Sequence, residues 1–181
     1  MKDNPYEGRL IRLRAREPEE EPLLHRWFND PEVTEFLSIR YPLSHQQERD
    51  FLARVSTISF DHASFSIVTK DDGRLIGGCG FERTSPENRS AILGIAIGDK
   101  TCWNGGYGTD AMRTLCRFGF EHMNLHRIEL DVYAGNERAL HVYEKVGFRV
   151  EGRRRDALFK YGRYHDIVAM GLLEGELVLA E

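Results

Sequence analysis

The residues of this chain best suited to chemistry lie in two short stretches of its second half. The first, "WNGGYGTDAM" (103–112), sets Gly105, Gly106 and Gly108 where a helix-like run begins. A helix start carries backbone N–H groups without partners and the positive end of the helix dipole. Glycines there let an anion reach the backbone, so the stretch suits a pyrophosphate. It equally suits a plain tight turn before a helix. The second stretch is "NERALHVYEKVGF" (136–148). On a helix, Asn136 and Tyr143 stand two turns apart on one face, with Ala139 and Leu140 between them. Asn136 is a natural helix cap. Tyr143 is either a proton donor with a reference pKa near ~10 or a core tyrosine whose hydroxyl meets a carbonyl.

Other ligand readings fail on spacing. Gly106-x-Gly108-x-x-Ala111 matches a dinucleotide fingerprint, and Asp131 falls roughly where an acidic ribose ligand belongs. Those glycines should follow a strand directly, yet "DKTCWN" intervenes after Gly98. No Gly-Lys-Ser/Thr follows, so a P-loop is excluded. His122-x-x-x-His126 has helical metal spacing but no Glu after His122, and "KDDG" (70–73) lacks the other ligands of a calcium loop. No metal is expected. Trp27, Phe36 and Tyr41 read as core or lid aromatics rather than a base-stacking platform.

The elements that must position these residues are legible in outline. "LIRLR" (10–14) alternates like a strand. A helix is expected from about Pro18, with Leu23, Leu24, Trp27 and Phe28 on one face, broken by "NDPEV" (29–33). Ser44 and Gln47 form a capping box for a helix to about Ser56. Strands follow at 64–69 and 75–81 around "KDDG", then at 90–97 after the turn "TSPEN". The glycine stretch opens a helix to about His122, with Ala111, Met112, Leu115, Cys116 and Phe118 on its apolar face. A strand at 127–133, a helix at 136–145 and strands at 148–154 and 164–173 complete the chain. Strands with helices inserted late indicate an α+β fold around one mixed, mostly antiparallel sheet of six to seven strands.

Composition narrows the classes. The 181 residues suit one domain spanning 1–181; 41% are hydrophobic and 30% charged, an ordinary globular balance. The net charge of −4 supplies no overall positive field for nucleic acid, and no apolar run reaches membrane-spanning length. Nucleic-acid and membrane partners are not expected. Cys79, Cys102 and Cys116 lack metal or redox spacing and read as reduced thiols of a cytoplasmic protein.

Trp103-x-x-Gly106-x-Gly108 resembles the acetyl-CoA pyrophosphate loop of the GNAT superfamily of N-acetyltransferases. "NERALHVYEKVGF" resembles that family's Asn-x-x-Ala-x-x-x-Tyr-x-x-x-Gly-Phe motif, in the right order and separated by a helix and a strand. The family usually carries Gln or Arg where Trp103 stands. Trp there resembles the branch of ribosomal-protein N-terminal and spermidine acetyltransferases, as do "LIRLRAREPEE", "FNDPEVTEFL" and "GRYHDIVAMGLL". The resemblance spans nearly the whole chain. It implies helices on both sheet faces, a sheet splayed at the fourth strand, and acetyl transfer from acetyl-CoA to a primary amine by direct attack. It implies that Trp103, Asn104, Gly105, Gly106, Tyr107, Gly108 and Thr109 line the pyrophosphate. Ile95, Ala96 and Ile97 would hold the pantetheine arm through their backbone. Asn136 and Ala139 would line that arm, and Tyr143 would protonate the departing thiolate.

One departure bears on the amine. Relatives often read Ala-Glu-Leu-Gly in the fourth strand, whereas this chain reads "AILG", with Ile92 in place of the acid. Glu82 is the nearest substitute base, and it reads equally well as a solvated strand-end residue. Phe36–Pro42 are expected to shape the acceptor pocket. The resemblance admits a protein N-terminus or a small amino compound as acceptor, with a polyamine or an aminoglycoside as the alternative, and a homodimer as the assembly. With Ile92 in place of the acid, a weakly basic amine is expected over a polyamine, because an α-amine near ~8 supplies more neutral base than a lysine-type amine near ~10.4. A non-catalytic acetyl-CoA binding module on the same fold is the competing class.

Overall fold

Alternating buried and exposed side chains organise the chain around one sheet. In the computed structural model, which describes residues 4–57 and 59–179, the strands are β1 (Ile11–Arg14), β2 (Ala63–Thr69), β3 (Leu75–Ser85), β4 (Ser90–Ile97), β5 (Arg127–Tyr133), β6 (Arg149–Lys160) and β7 (Arg163–Leu173). They lie in the order β1-β2-β3-β4-β5-β7-β6. Every neighbouring pair is antiparallel except β4 and β5. That parallel pair holds register only at Ser90–Arg127, Ala91–Ile128 and Ile92–Glu129. Beyond Ile92 the two strands part.

One sheet face is apolar. Phe81, Ala91, Leu93, Ile128, Leu130 and Val132 bury their side chains there, under α4 (Tyr107–His122) and α5 (Glu137–Val146). The stripe read from sequence on α4 holds: Ala111, Met112, Leu115 and Cys116 are fully buried, and Phe118 packs at the margin. The other face carries α1 (Glu21–Phe28) and α3 (His45–Val55), joined through a smaller core of Leu24, Trp27, Val33 and Leu52. The Ser44–Gln47 capping box forms as expected.

Boundaries differ in informative ways. The helix expected from Pro18 begins as a 3-10 turn over Pro18–Glu20 before α1. "NDPEV" ends α1 but also starts α2 (Pro31–Thr34), with Asp30 as N-cap and Pro31 in the first turn, where a missing N–H costs nothing. β3 and β6 run on to Ser85 and Lys160, past irregularities in register that periodicity alone does not show.

A carboxylate fixes the first strand to the helix at the glycines. Asp110, in the first turn of α4, accepts hydrogen bonds from the backbone N–H of Arg9 (3.0 Å), Leu10 (2.7 Å) and Ile11 (3.1 Å). A Cβ at Gly8 would come within 2.7 Å of the Asp110 carboxyl carbon, so the chain passes close by. Asp110→Ala would leave two partly buried donors, Leu10 and Ile11, and one exposed donor, Arg9, without their acceptor, and we expect a loss of about 2 kcal/mol. Urea unfolding checks it: the midpoint should fall at constant slope, with Asp110→Asn falling less. An Asp110→Ala midpoint equal to the parent's would remove this anchoring role.

Candidate active site

The site begins where β4 and β5 separate. Gly98 N–H donates to Ile76 O on β3 (2.9 Å). Backbone direction alternates along a strand, so Ala96 and Gly94 also turn to β3, while Leu93, Ile95 and Ile97 turn their peptide groups to the cleft. β5 is no longer there to pair with them. Of the three residues expected to hold the pantetheine arm, Ile95 and Ile97 therefore present backbone to the cleft, and Ala96 presents only its side chain. The Ile97 carbonyl is taken by the indole N–H of Trp103 (2.9 Å).

The glycine stretch lies at the open end of this cleft. Gly106 is the N-cap of α4 at φ 84°, a left-handed conformation that favours glycine, and no side chain caps the helix. Asn104 is also left-handed, at φ 60°. The first-turn N–H groups of α4 are thus open to an anion. A Cβ at Gly108 would meet only Ile97, at an ordinary 3.9 Å. Protein packing therefore does not demand glycine at that position, and the bare space lies over the cleft strand. A phosphate fits there. Thr109, half-buried in the same turn, has a free hydroxyl among the described residues. Asp110 would repel an anion, but its charge is turned towards β1 by the three N–H groups already described.

The second motif forms the opposite wall. Asn136 caps α5, its Oδ1 accepting from Ala139 N–H (3.1 Å), which leaves its amide N–H groups for a ligand. Arg138 lays its guanidinium over the Trp103 ring at 4.4 Å, so the two N-termini are joined across the cleft mouth. Tyr143 packs against the main core, with the Phe148 ring at 6.0 Å. Its hydroxyl has no hydrogen-bond partner among the described residues. Burial pushes its pKa up to about 12.

Glu82 is exposed and pairs across β3–β4 with Ile92. It makes no ion pair among the described residues. Ile92 in turn faces Glu129 at the last β4–β5 pair, and Glu129 is bonded to Arg127 (2.6 Å). Glu82 therefore lies at the closed end of the cleft, one strand away from it. His122 stacks on Phe118, and His126 meets Glu174. Among the described residues no group of His, Cys, Asp or Glu is arranged to hold a metal ion.

Sequence reasoning expected segment 36–42 at the acceptor pocket but named no residue of β5, β6 or β7 there. Above Gly94 the sheet face is open: a Cβ there would meet nothing within 4 Å. Beside it, a pocket of about 390 Å³ is lined by Phe36, Ser38, Asp131, Tyr133 and Arg154, among others. The Tyr133 hydroxyl donates to Leu37 O (3.2 Å), and Asp131 pairs with Arg154. A neighbouring cleft of about 470 Å³ lies between residues 39–42 and the tip of the β6–β7 hairpin. Segment 36–42 does shape both. The signal for Asp131 and Tyr133 was present: in "RIELDVY" they alternate with buried Ile128, Leu130 and Val132. Nothing local marked Lys160, which reaches residues 34–37 from 120-odd positions away.

Comparison with known proteins agrees with this geometry. The model of the Acetyltransferase (GNAT) domain matches residues 10–149. The uncharacterized N-acetyltransferase p20 of Bacillus licheniformis is 32% identical over 173 residues, 94% of this chain and 96% of that protein. The putative ribosomal N-acetyltransferase YdaF of Bacillus subtilis is 36% identical over 105 residues, 58% of this chain and 57% of its own length. Among solved structures, spermidine N-acetyltransferase from Vibrio cholerae in complex with CoA and spermine superposes with a TM-score of 0.81 at 26% identity, covering 92% of this chain and 96% of that one. A sheet that opens between β4 and β5, with a glycine-led helix at one wall and an Asn-capped helix at the other, thus has its counterpart in sequence, and this chain belongs to the GNAT acetyltransferases.

Proposed function

We propose that this protein is a single-domain enzyme that moves the acetyl group of acetyl-CoA to a primary amine by direct attack. The observation that carries the reading is the unpaired cleft edge of β4 beside the uncapped, left-handed start of α4. The N–H groups of the first turn of α4 hold the pyrophosphate. Ile95 and Ile97 offer peptide groups to the pantetheine arm in the manner of a missing strand, and Asn136 adds its amide. The amine enters from the face above Gly94 and attacks the thioester carbonyl as the neutral base. One proton leaves nitrogen and one arrives on sulfur. Tyr143 donates to the departing sulfur, and its burial keeps it protonated throughout the working range. Glu82, exposed and unpaired, is the side chain available to relay the amine proton through water.

A non-catalytic acetyl-CoA binding module is the second reading. It gives no role to the unpartnered phenol of Tyr143, and we disfavour it for that reason. Relatives act, by name, on spermidine and on a ribosomal substrate, and that supports testing such amines as acceptors. Among the described residues no helix is long and apolar enough to cross a membrane. We place the enzyme in the cytoplasm, where acetyl-CoA is made, with a homodimer as the assembly to test.

The deciding assay follows coenzyme A thiol release with a panel of amines; no release with any of them would leave the binding-module reading. Tyr143→Phe should keep acetyl-CoA affinity and lower kcat by roughly 10²-fold. A rate within about twofold of the parent would return Tyr143 to packing.

The pH profile has a definite sign. An ordinary phenol loses its proton near ~10, and Tyr143 does so later, at about 12. The rate should therefore rise with the free-amine fraction and show no alkaline fall before about pH 10. A fall centred near pH 8 would point to a different acid.

Gly108→Val should fill the cradle over Ile97 and raise the KM for acetyl-CoA about tenfold or more. The rate with acetyl-pantetheine, which has no pyrophosphate, should change far less. Equal losses with both donors would show that the side chain disturbs the site by another route.

A further inference from the structure

The acceptor side of the site is walled by charges that do not cancel. Lys160, at the end of β6, is only 6% exposed. Its ammonium donates to the carbonyls of Thr34 (2.6 Å), Glu35 (3.1 Å) and Leu37 (2.8 Å). These acceptors are neutral, so they use its three donors and leave its charge unbalanced. Arg40 lines the same 470 Å³ cleft and makes no hydrogen bond or ion pair among the described residues. The two cations feel each other: burial first, and Arg40 second, hold the Lys160 ammonium below its ordinary pKa, with Glu35 opposing.

Of the carboxylates nearby, Glu35 and Asp156 make no ion pair among the described residues, and Asp30 and Glu32 share Lys100. Asp131 pairs with Arg154, and Asp166 pairs with Arg153 and accepts from Asp156 N–H. Arg163, the cross-strand partner of Lys160, and Arg155, whose charge acts on Asp166, make no ion pairs among the described residues. Positive charge is thus in excess where the acceptor enters, although the whole chain carries −4. A polyamine meets repulsion there; an acceptor with an anionic group meets attraction.

The shape adds length. Phe36 and Ser38 line the pocket with Asp131 and Tyr133, and Ile39 and Arg40 line the cleft over Lys160, so segment 36–40 runs from one to the other. An occupant of both must be extended across that segment. Tyr41 and Tyr161 line the outer cleft, 78% and 63% exposed, and offer apolar surface to such a chain.

Resting on the acetyl-transfer reading above, we propose that the acceptor is an acidic peptide whose N-terminal amine enters the Asp131–Tyr133 pocket while a carboxylate from one of its next residues sits against Arg40 over Lys160. Arg40 supplies the donors, and Lys160 supplies fixed charge and holds the 34–37 backbone in place. The exposed guanidinium of Arg40 bonds to nothing among the described residues, so changing it strands no buried group among them.

The test uses matched peptides with free N-termini, one with Asp and Glu at its second and third positions and one with Asn and Gln there, together with spermidine. In thiol-release assays at low salt, kcat/KM for the acidic peptide should exceed that of its amide twin by about tenfold or more. The gap should shrink as salt screens it, close to within about twofold in Arg40→Gln, and reverse in Arg40→Glu. Equal rates for the two peptides, an unchanged gap in both Arg40 variants, or spermidine turned over faster than either peptide would overturn the proposal. Calorimetric binding of the two peptides to coenzyme A-loaded protein reads the same preference without turnover. Absence of thiol release from any amine then sinks the acetyl-transfer reading, whereas equal peptide binding sinks the anionic subsite.

Discussion

Two parallel strands that pair at three positions and then separate are the constraint on which this structure turns. A peptide group without a partner is expensive when it is also kept from water, so a strand that leaves its neighbour must find another acceptor or donor. At the end of β4 the protein supplies one itself, through the Trp103 indole on the Ile97 carbonyl. The peptide groups of Ile95 are left to the cleft. The cleft is therefore shaped to take a polar, extended, strand-like ligand, and the pantetheine arm of a coenzyme A thioester is a chain of amides. Everything else in the fold holds the opening at a fixed width. The apolar face under α4 and α5 carries the load from below, and the Arg138–Trp103 stack spans the mouth.

How much of this was legible in the sequence depends on how local the cause is. The glycine stretch and the Asn136–Tyr143 pair could be read directly, because a helix start and a two-turn spacing are local facts. The amphipathic face of α4 and the Ser44 capping box were legible for the same reason. The long run of β3 and β6 was not, since each passes through a register irregularity that depends on its partner strand. The short helix α2 was hidden by Pro31, which reads as a breaker from one side and as a first-turn residue from the other. The acceptor side was least legible. Lys160 and residues 34–37 carry no mutual pattern in the sequence, and their contact exists only because the β6–β7 hairpin folds back over the loop after α2.

The site also divides its electrostatic labour. On the cofactor side, positive potential comes from backbone: the open N-terminus of α4, with Asp110 diverted away from it. On the acceptor side it comes from side chains, with Lys160 tied to carbonyls and Arg40 left free. Backbone donors are fixed by the fold and suit a ligand common to a whole family. Side-chain charges on a loop and a hairpin tip change with single substitutions and suit a ligand that differs from one member to the next. The same sheet can therefore serve different amines in different relatives without rebuilding its core.

The tie between Asp110 and residues 9–11 has a consequence for handling the molecule. β1 lies at the far edge of the sheet, four strands from β5, and at first sight the chain start is a free handle. Its amides nevertheless hold a carboxylate in the first turn of α4. An affinity tag, a fusion partner or a circular permutation joined close to Gly8 would tug on those amides, and the disturbance would surface at the cofactor end of the active site. The carboxyl-terminal side is tied in as well, by Val178 N–H to Val146 O at the end of α5 and by Arg113 of α4 to Val178 O, so a junction close to Val178 would disturb the same two helices.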